Sequence, residues 1–310
     1  MMKTVITDLV GIRYPVFQGG MAWISDGGLA AAVSNGGGLG IISAMNADAA
    51  YLRKQIEIAR GLTDKPFGVN IMLMSPFAAE VAMVVAEERV AVVTTGAGNP
   101  SKHIDVWKAA GITVIPLVAS VAMAKLVTRA GADAVIAEGS ESGGHVGETT
   151  TMALVPQVCD ATELPVIAAG GIADGRGVAA AFILGAQGVQ LGTRFLVADE
   201  CSVHDNYKEK ILKATDISTI ATGKRLGHPV RSIKTPFSRA YLKAEYDSSV
   251  SDTDLETLGT GALRLAAVEG DTERGCFPAG QIAGMVKKKQ PAAEIVREII
   301  DEAERLLRSV

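Results

Sequence analysis

Eight short β-branched apolar runs at a fairly even interval predict an α/β chain closed into a TIM (β/α)8 barrel. Ala-rich segments of helical periodicity lie between the runs, several ending in Gly as a helix C-cap would. The runs are continuously apolar, as parallel strands covered on both faces require. A charge-rich stretch then follows the eighth run, which predicts a smaller inserted cap domain after strand eight.

The strands are read as PVFQ (15–18), LGIIS (39–43), FGVNI (67–71), VAVVTT (90–95), ITVIPL (112–117), DAVIAE (133–138), PVIAAG (165–170) and GVQLGT (188–193). GLAAAVSNGG, MAKLVTRAGA and GVAAAFILGAQ are among the intervening helices. An open doubly wound sheet is the competing architecture. It is disfavoured because no G-x-G-x-x-G followed by an acidic residue comes after the first strand. The terminal segment AAEIVREIIDEAERLLRS reads as an amphipathic helix with Ile295, Ile299, Ala303 and Leu306 in register, returning to cover the barrel. Residues 1–200 and 270–310 are thereby assigned to the barrel and 201–269 to the cap.

Composition fits a single large domain with a substantial core, since 48% of the 310 residues are hydrophobic and only 21% charged. Lys3, Asp8 and Arg13 interrupt the N-terminal stretch, so it reads as neither a secretory signal nor a membrane anchor. The uncharged runs 27–47 and 177–193 suit a buried core better than a bilayer, so no membrane association is expected. Three widely spaced cysteines match no metal-ligand or disulfide spacing, and a reducing cytoplasm is the expected location. No metal site is expected. A net charge of -4 gives no reason to expect nucleic acid.

A barrel gathers its strand C-termini at one pocket. These are Gln18 to Met21, Ser43, Asn70, Thr95 to Gly98, Glu138, Gly170 with Gly171, and Gly192 with Thr193. The glycines can be ordinary turn residues, or places where backbone approaches a ligand too closely for a Cβ. AAGGIADG (168–175) and LGTRF (191–195) follow strands seven and eight, where barrels bind phosphate through amide N–H groups and a helix N-terminus. The loop after strand six, EGSESGGHVG (138–147), carries His145 on a glycine-rich backbone over the pocket mouth. That histidine is read as catalytic, or else as structural or solvated. His103, His204 and His228 have less pocket-like surroundings and are read as structural or solvated. Glu138 can stabilise the strand end or accept from ligand hydroxyls.

YPVFQGGMAW, KPFGVNIMLMSPF, VVTTGAGNPSKH, DAVIAEGSESGGHVG, PVIAAGGIADGRG, VQLGTRF and AGQIAG together resemble the flavin-dependent enoyl-[acyl-carrier-protein] reductase II family. That family is similar in sequence to nitronate monooxygenase, formerly 2-nitropropane dioxygenase, and the resemblance runs from the N-terminus to about residue 290. It implies an FMN over the barrel mouth, NADH as co-substrate, and is compatible with a monovalent cation. Gly19, Gly20 and Met21 would contact the ring system, and Asn70 its polar edge. Glu138 would hold the ribityl hydroxyls. Gly144 would lie by the cofactor, and Gly170, Gly171, Gly192 and Thr193 would cradle the phosphate. Gln281 would close the site, with His145 by the reactive face of the flavin. The implied reaction reduces enoyl thioesters on an acyl carrier protein, in a homodimer; the alternative is oxidation of alkyl nitronates with O2.

Residues 207–243 hold nine basic side chains against Glu209 and Asp216, and 244–273 reverse this with eight acids against Arg264. Such runs can be solvated helix faces. They can also give the cap a basic side that meets an acidic carrier protein with its phosphopantetheine arm.

Overall fold

A computed structural model describes residues 2–45 and 47–309 of the chain. Thr4 opens it by capping a short helix, α1 (Val5–Val10), in a reciprocal capping box with Thr7, and Gly11 closes that helix in the left-handed conformation. The alternating series follows as β1 (Val16–Gln18), α2 (Gly27–Asn35), β2 (Leu39–Ser43), α3 (Ala49–Leu62), β3 (Gly68–Met72), α4 (Ala78–Glu88), β4 (Val92–Gly96), α5 (Ser101–Ala109), β5 (Thr113–Val118), α6 (Val121–Arg129) and β6 (Val135–Glu138). A two-residue strand, β7 (Gly144–His145), precedes α7 (Thr151–Ala161), β8 (Val166–Ala169), α8 (Gly175–Ile183) and β9 (Gly188–Leu191). Strands β1 to β6, β8 and β9 form a closed parallel barrel, with Val16 of β1 in register with Val189 of β9. All eight sequence-derived runs are barrel strands, with ends that differ by no more than two residues.

Ile41, Val92, Ile115, Ile136 and Ile167 fill the barrel interior with Phe17 and Leu39. Ile6 and Val10 of α1 belong to the same buried cluster, so α1 plugs the barrel. Its six residues are too short for an apolar period to show in the sequence. Asp26, Asp48, Ser120 and Asp174 cap α2, α3, α6 and α8 by accepting backbone N–H bonds, which fixes where each crossover helix starts.

The chain continues through α9 (Asp205–Leu212), β10 (Thr219–Thr222), β11 (Val230–Ile233), α10 (Pro236–Glu245), α11 (Asp252–Gly259) and α12 (Ala262–Arg264) to the final helix α13 (Ala292–Leu307). Helix α13 buries Ile295, Val296, Ile299, Ile300 and Ala303 and packs along α8 and α2. The approach is close enough to require glycine: a Cβ on Gly175 would sit 2.5 Å from the Ala303 nitrogen, and one on Gly36 would sit 2.7 Å from Ala293 Cα.

Residues 201–269 are less separate than the sequence implies. Cys201, Val203, Tyr207, Ile211, Ile233 and Ala266 belong to the same buried cluster as Val189 and Leu191 of the barrel. Antiparallel β10 and β11 add β7 to form a three-stranded sheet, so the insertion is stitched to the loop after β6. Among the described residues, no helix is long and apolar enough to cross a membrane, and no group of three metal-ligating side chains is present.

Candidate active site

The barrel strand ends and the post-β9 elements enclose a cavity of about 630 Å3. Gly19, Gly20, Met21, Asn70, Glu138, Gly144, His145, Gly170, Gly171, Gly192 and Thr193 all line it. Gln281 does not. Its side chain is exposed, while the flanking Gly280 and Ile282 face the cavity. The AGQIAG stretch closes over the site through its backbone instead: Gly280 N donates to Thr193 Oγ1 at 2.9 Å and Gln281 N to Glu141 O at 2.9 Å.

Each floor residue has a local cause. The Asn70 carbonyl oxygen accepts from Thr94 Oγ1 at 2.9 Å, which leaves its amide N–H donors to serve the cavity. A Cβ on Gly20 would sit 2.4 Å from Asn70 Cβ, so the first loop can cross Asn70 only as glycine. Two non-glycine residues at this end, Trp23 (φ 63°) and Ala97 (φ 52°), hold the left-handed conformation, which clusters at functional sites.

The three glycines expected at a phosphate divide into two kinds. Gly170 (φ 86°) and Gly171 (φ 74°) need glycine for backbone conformation alone, and a Cβ on Gly170 would also meet Gly139 O at 2.7 Å. Gly192 has φ -109°, and the protein atom nearest to its would-be Cβ is Met21 Sδ at 3.6 Å. Neither conformation nor protein packing therefore demands glycine at 192. A Cβ there would fill cavity space at the start of the 3-10 turn Thr193–Val197, where backbone N–H groups are free of helical partners. This is the cradle a bound phosphate requires, and it fits FMN.

Glu138 lies at the end of β6 with its residual exposure toward the cavity. Burial pushes its carboxyl up to about 7, with the Ser142 hydroxyl pulling the other way. Glu141 is engaged in the protein: its Oε2 accepts from Thr151 N at 2.8 Å, at the first turn of α7, and Thr151 Oγ1 lies 2.9 Å from both that oxygen and Gly170 O. The loop after β6 is thus tied to the turn after β8.

His145 does not ride on a free glycine loop. It occupies β7, with His145 opposite Val230 and Gly144 opposite Arg231 of β11. Val146 N donates to Pro229 O at 3.0 Å, and Arg231 Nε to Ser140 O at 3.1 Å. This register places His228 diagonally from His145 on one face of the ribbon. The two rings are 6.2 Å apart between centroids and tilted by 59°. Burial, and secondarily the charge of His228, lower the His145 pKa, although the ring keeps an exposed edge. His228 is exposed and lines the cavity, so its surroundings are pocket-like, contrary to expectation. Only the β7–β11 pairing reveals it. His103 stacks on Trp107 at 5.3 Å, and His204 caps α9 by accepting from Asn206 N; neither lines the cavity.

The cap contributes an apolar wall of Leu226, Val230, Phe237, Tyr241 and Leu263. Its charges are unevenly engaged. Buried Glu245 accepts from Gly223 N and Arg225 N, Asp254 from Ser251 Oγ, and Asp252 and Glu269 pair with Arg225 and Arg264. Exposed Lys224, Lys234 and Arg239 make no ion pair among the described residues.

A family model described as nitronate monooxygenase matches residues 3–89 and 76–302. FabK from Thermotoga maritima superposes with a TM-score of 0.97 at 51% identity, covering 100% of this chain and 98% of that one. A (3aS,4S,5R,7aS)-5-hydroxy-7a-methyl-1-oxo-octahydro-1H-indene-4-carboxyl-CoA dehydrogenase of Rhodococcus jostii is 34% identical, covering 97% of this chain and 96% of its own. A probable nitronate monooxygenase of Staphylococcus saprophyticus is 33% identical over 99% of both chains.

Proposed function

From the premise that this chain belongs to the nitronate monooxygenase family, we propose that it is an FMN-dependent enoyl thioester reductase that oxidises NADH and takes its substrate from an acyl carrier protein. The observation that carries this reading is the apolar wall of Leu226, Val230, Phe237, Tyr241 and Leu263 facing the glycine-lined floor across one cavity. An acyl chain uses such a wall; a small nitronate leaves it idle. The full-length likeness to FabK supports the same choice.

FMN, when bound, supplies a two-electron carrier between NADH and the conjugated double bond. The chain's own residues do the rest. Gly192, Thr193, Gly170 and Gly171 present backbone N–H groups to the phosphate, and Glu138 accepts from the ribityl hydroxyls. Asn70 donates to the polar edge of the ring, with Gly19, Gly20, Met21 and Gly144 allowing its close approach. His145 gives a proton to the α-carbon while the β-carbon receives the two electrons and the other hydrogen. NADH, one proton and the enoyl thioester then give NAD+ and the saturated thioester. The wall and the closing backbone of 278–282 exclude water from the reacting carbons.

A nitronate monooxygenase is the second reading, favoured by one observation: burial and the neighbouring charge lower the His145 pKa, as a base that takes a proton from a nitroalkane needs. Anaerobic mixing separates the two. NADH should bleach the bound flavin and crotonyl thioester should restore its colour. Flavin that ignores NADH but is reduced by propyl-2-nitronate reverses the choice.

A further inference from the structure

We propose that His228 is a positioning residue that returns a proton to His145 in each turnover. The inference rests on the enoyl reductase reading and names a residue which that reading does not use. The reaction adds two hydrogens across a double bond. One arrives at the β-carbon with both electrons. The other must form the α-carbon C–H bond as a proton, and if imidazolium His145 gives it, His145 is left neutral and must be recharged before the next cycle. His228 imidazolium can pass on its own proton and recover one from solvent, so charge and atoms balance over the cycle.

Three features of the structure place His228 in that position. The β7–β11 register puts both imidazoles on one face of the ribbon, with centroids 6.2 Å apart, a gap spanned by rotation of either ring or by one water. Both line the cavity, and His228, like His145, is exposed, so it can take up a proton from bulk solvent. Several other candidates nearby are engaged or disfavoured. Besides the two histidines, the titratable side chains lining the cavity are Glu138, Glu141, Tyr207, Tyr241, Glu256 and Cys276, and Arg231 lies opposite Gly144 on β11. Glu141 is held by Thr151, and Arg231 donates to Ser140 O. Burial, first, and the Glu245 charge raise the Tyr241 pKa, which makes it a poor acid. Of all these groups, only His228 acts appreciably on the charge of His145.

The test uses His228→Gln, which keeps a polar side chain of similar reach, and His228→Ala. Stopped-flow absorbance of the holoenzyme should show flavin reduction by NADH within about twofold of the parent. Steady-state turnover with NADH and crotonyl thioester should slow by roughly 10- to 100-fold, at or below the lower end of the range for losing a positioned acid. Added imidazole should restore much of that rate in His228→Ala. A readout independent of turnover is the NMR titration of His145. Removing the neighbouring positive charge should move its midpoint upward in His228→Gln, because a like charge disfavours the protonated form. A parent that reacts with crotonyl thioester while both variants match it overturns the proposal alone, as does slowing that imidazole cannot relieve with no movement of the titration. A parent whose reduced flavin ignores crotonyl thioester overturns the enoyl reductase reading, and this proposal with it.

Discussion

Gly170, Gly171, Gly192 and Thr193 reach the cavity within two residues of the barrel strands that carry them, β8 and β9. His145 reaches it on a two-residue strand that exists only because Val230 and Arg231 pair with it from a distant part of the chain. One end of the cavity is a local product of the barrel. The other is a ribbon shared between the barrel and the insertion. Binding chemistry placed at strand ends inherits the rigidity of the barrel, whereas proton chemistry placed on the ribbon depends on the insertion folding back correctly. Changes at the two ends should therefore fail differently.

His145→Ala should produce the largest effect, and only on one half of the reaction. Flavin content and reduction by NADH should persist, while reoxidation by enoyl thioester slows by roughly two to four powers of ten, the usual scale for losing a positioned acid or base. Stopped-flow absorbance at matched flavin content reads both steps. Equal slowing of the two would mean that the ribbon sets flavin position and that the division between the ends is false.

Glu138→Gln probes the floor through pH. Burial raises the Glu138 pKa to about 7 from an ordinary 4.5, so its charged form is disfavoured in the folded state. Between those two pH values the folded state binds more protons than the unfolded chain, so stability falls as pH rises and the full penalty stands above about 7. At pH 8 the flavin-free Gln variant should unfold at a higher temperature than the parent, by an amount worth on the order of 1–3 kcal/mol. Below pH 4.5 the two should converge. Its FMN affinity should fall, because the amide replaces an acceptor with a donor. Thermal melts of deflavinated protein across pH check the first part and FMN titration the second. A pH-independent difference would mean that Glu138 does not titrate in this window.

The same contrast explains what the sequence discloses. Alternation of apolar runs with helical segments is a local signal, and the barrel with its strand-end residues could be read from it, including Asn70, Glu138 and the glycines. His145 is visible as a histidine on a glycine-rich stretch, but its support is not: a two-residue strand has no periodicity, and β11 is identified as its partner only by register. The place of His228 beside the cavity was missed for that reason. Gln281 was misplaced because sequence locates AGQIAG near the site without saying which residue faces in, and it is Gly280 and Ile282 that do. Six-residue α1 left no pattern either.

Glycine substitution sharpens the local end further. Gly170→Ala forces a Cβ onto a backbone at φ 86° and to within 2.7 Å of Gly139 O, so the flavin-free protein should lose about 1–3 kcal/mol of stability. Gly171, at φ 74°, shares the conformational part of that penalty, so cofactor affinity alone is a poor measure there. Gly192→Ala meets nothing nearer than 3.6 Å and needs no unusual φ, so flavin-free stability should stay within about 0.5 kcal/mol of the parent while FMN binding weakens. Unchanged FMN affinity in Gly192→Ala would remove phosphate from that turn.

The smallest effect expected lies at the outer face of the insertion, and its sign is what makes it informative. Lys234 and Arg239 flank the N-terminal turn of α10, whose cap is Thr235 and whose Phe237 and Tyr241 line the cavity. Both cations are exposed and without an ion pair among the described residues, at the end of a helix where positive charge is disfavoured. Local stability therefore gives no reason for them, whereas an acidic carrier protein delivering its thioester to the wall behind them does. Charge reversal in Lys234→Glu/Arg239→Glu should stabilise the helix slightly, by roughly 0.3–1 kcal/mol per site. It should also lower kcat/KM for carrier-bound crotonyl thioester by about 5- to 20-fold at low salt, with the difference shrinking as salt screens the encounter. Crotonyl thioester of a short pantetheine, which has no protein to dock, should react with parent and variant alike. Loss of both activities together would mean that the substitutions disturb the wall, and equal retention of both would place the carrier protein on another face.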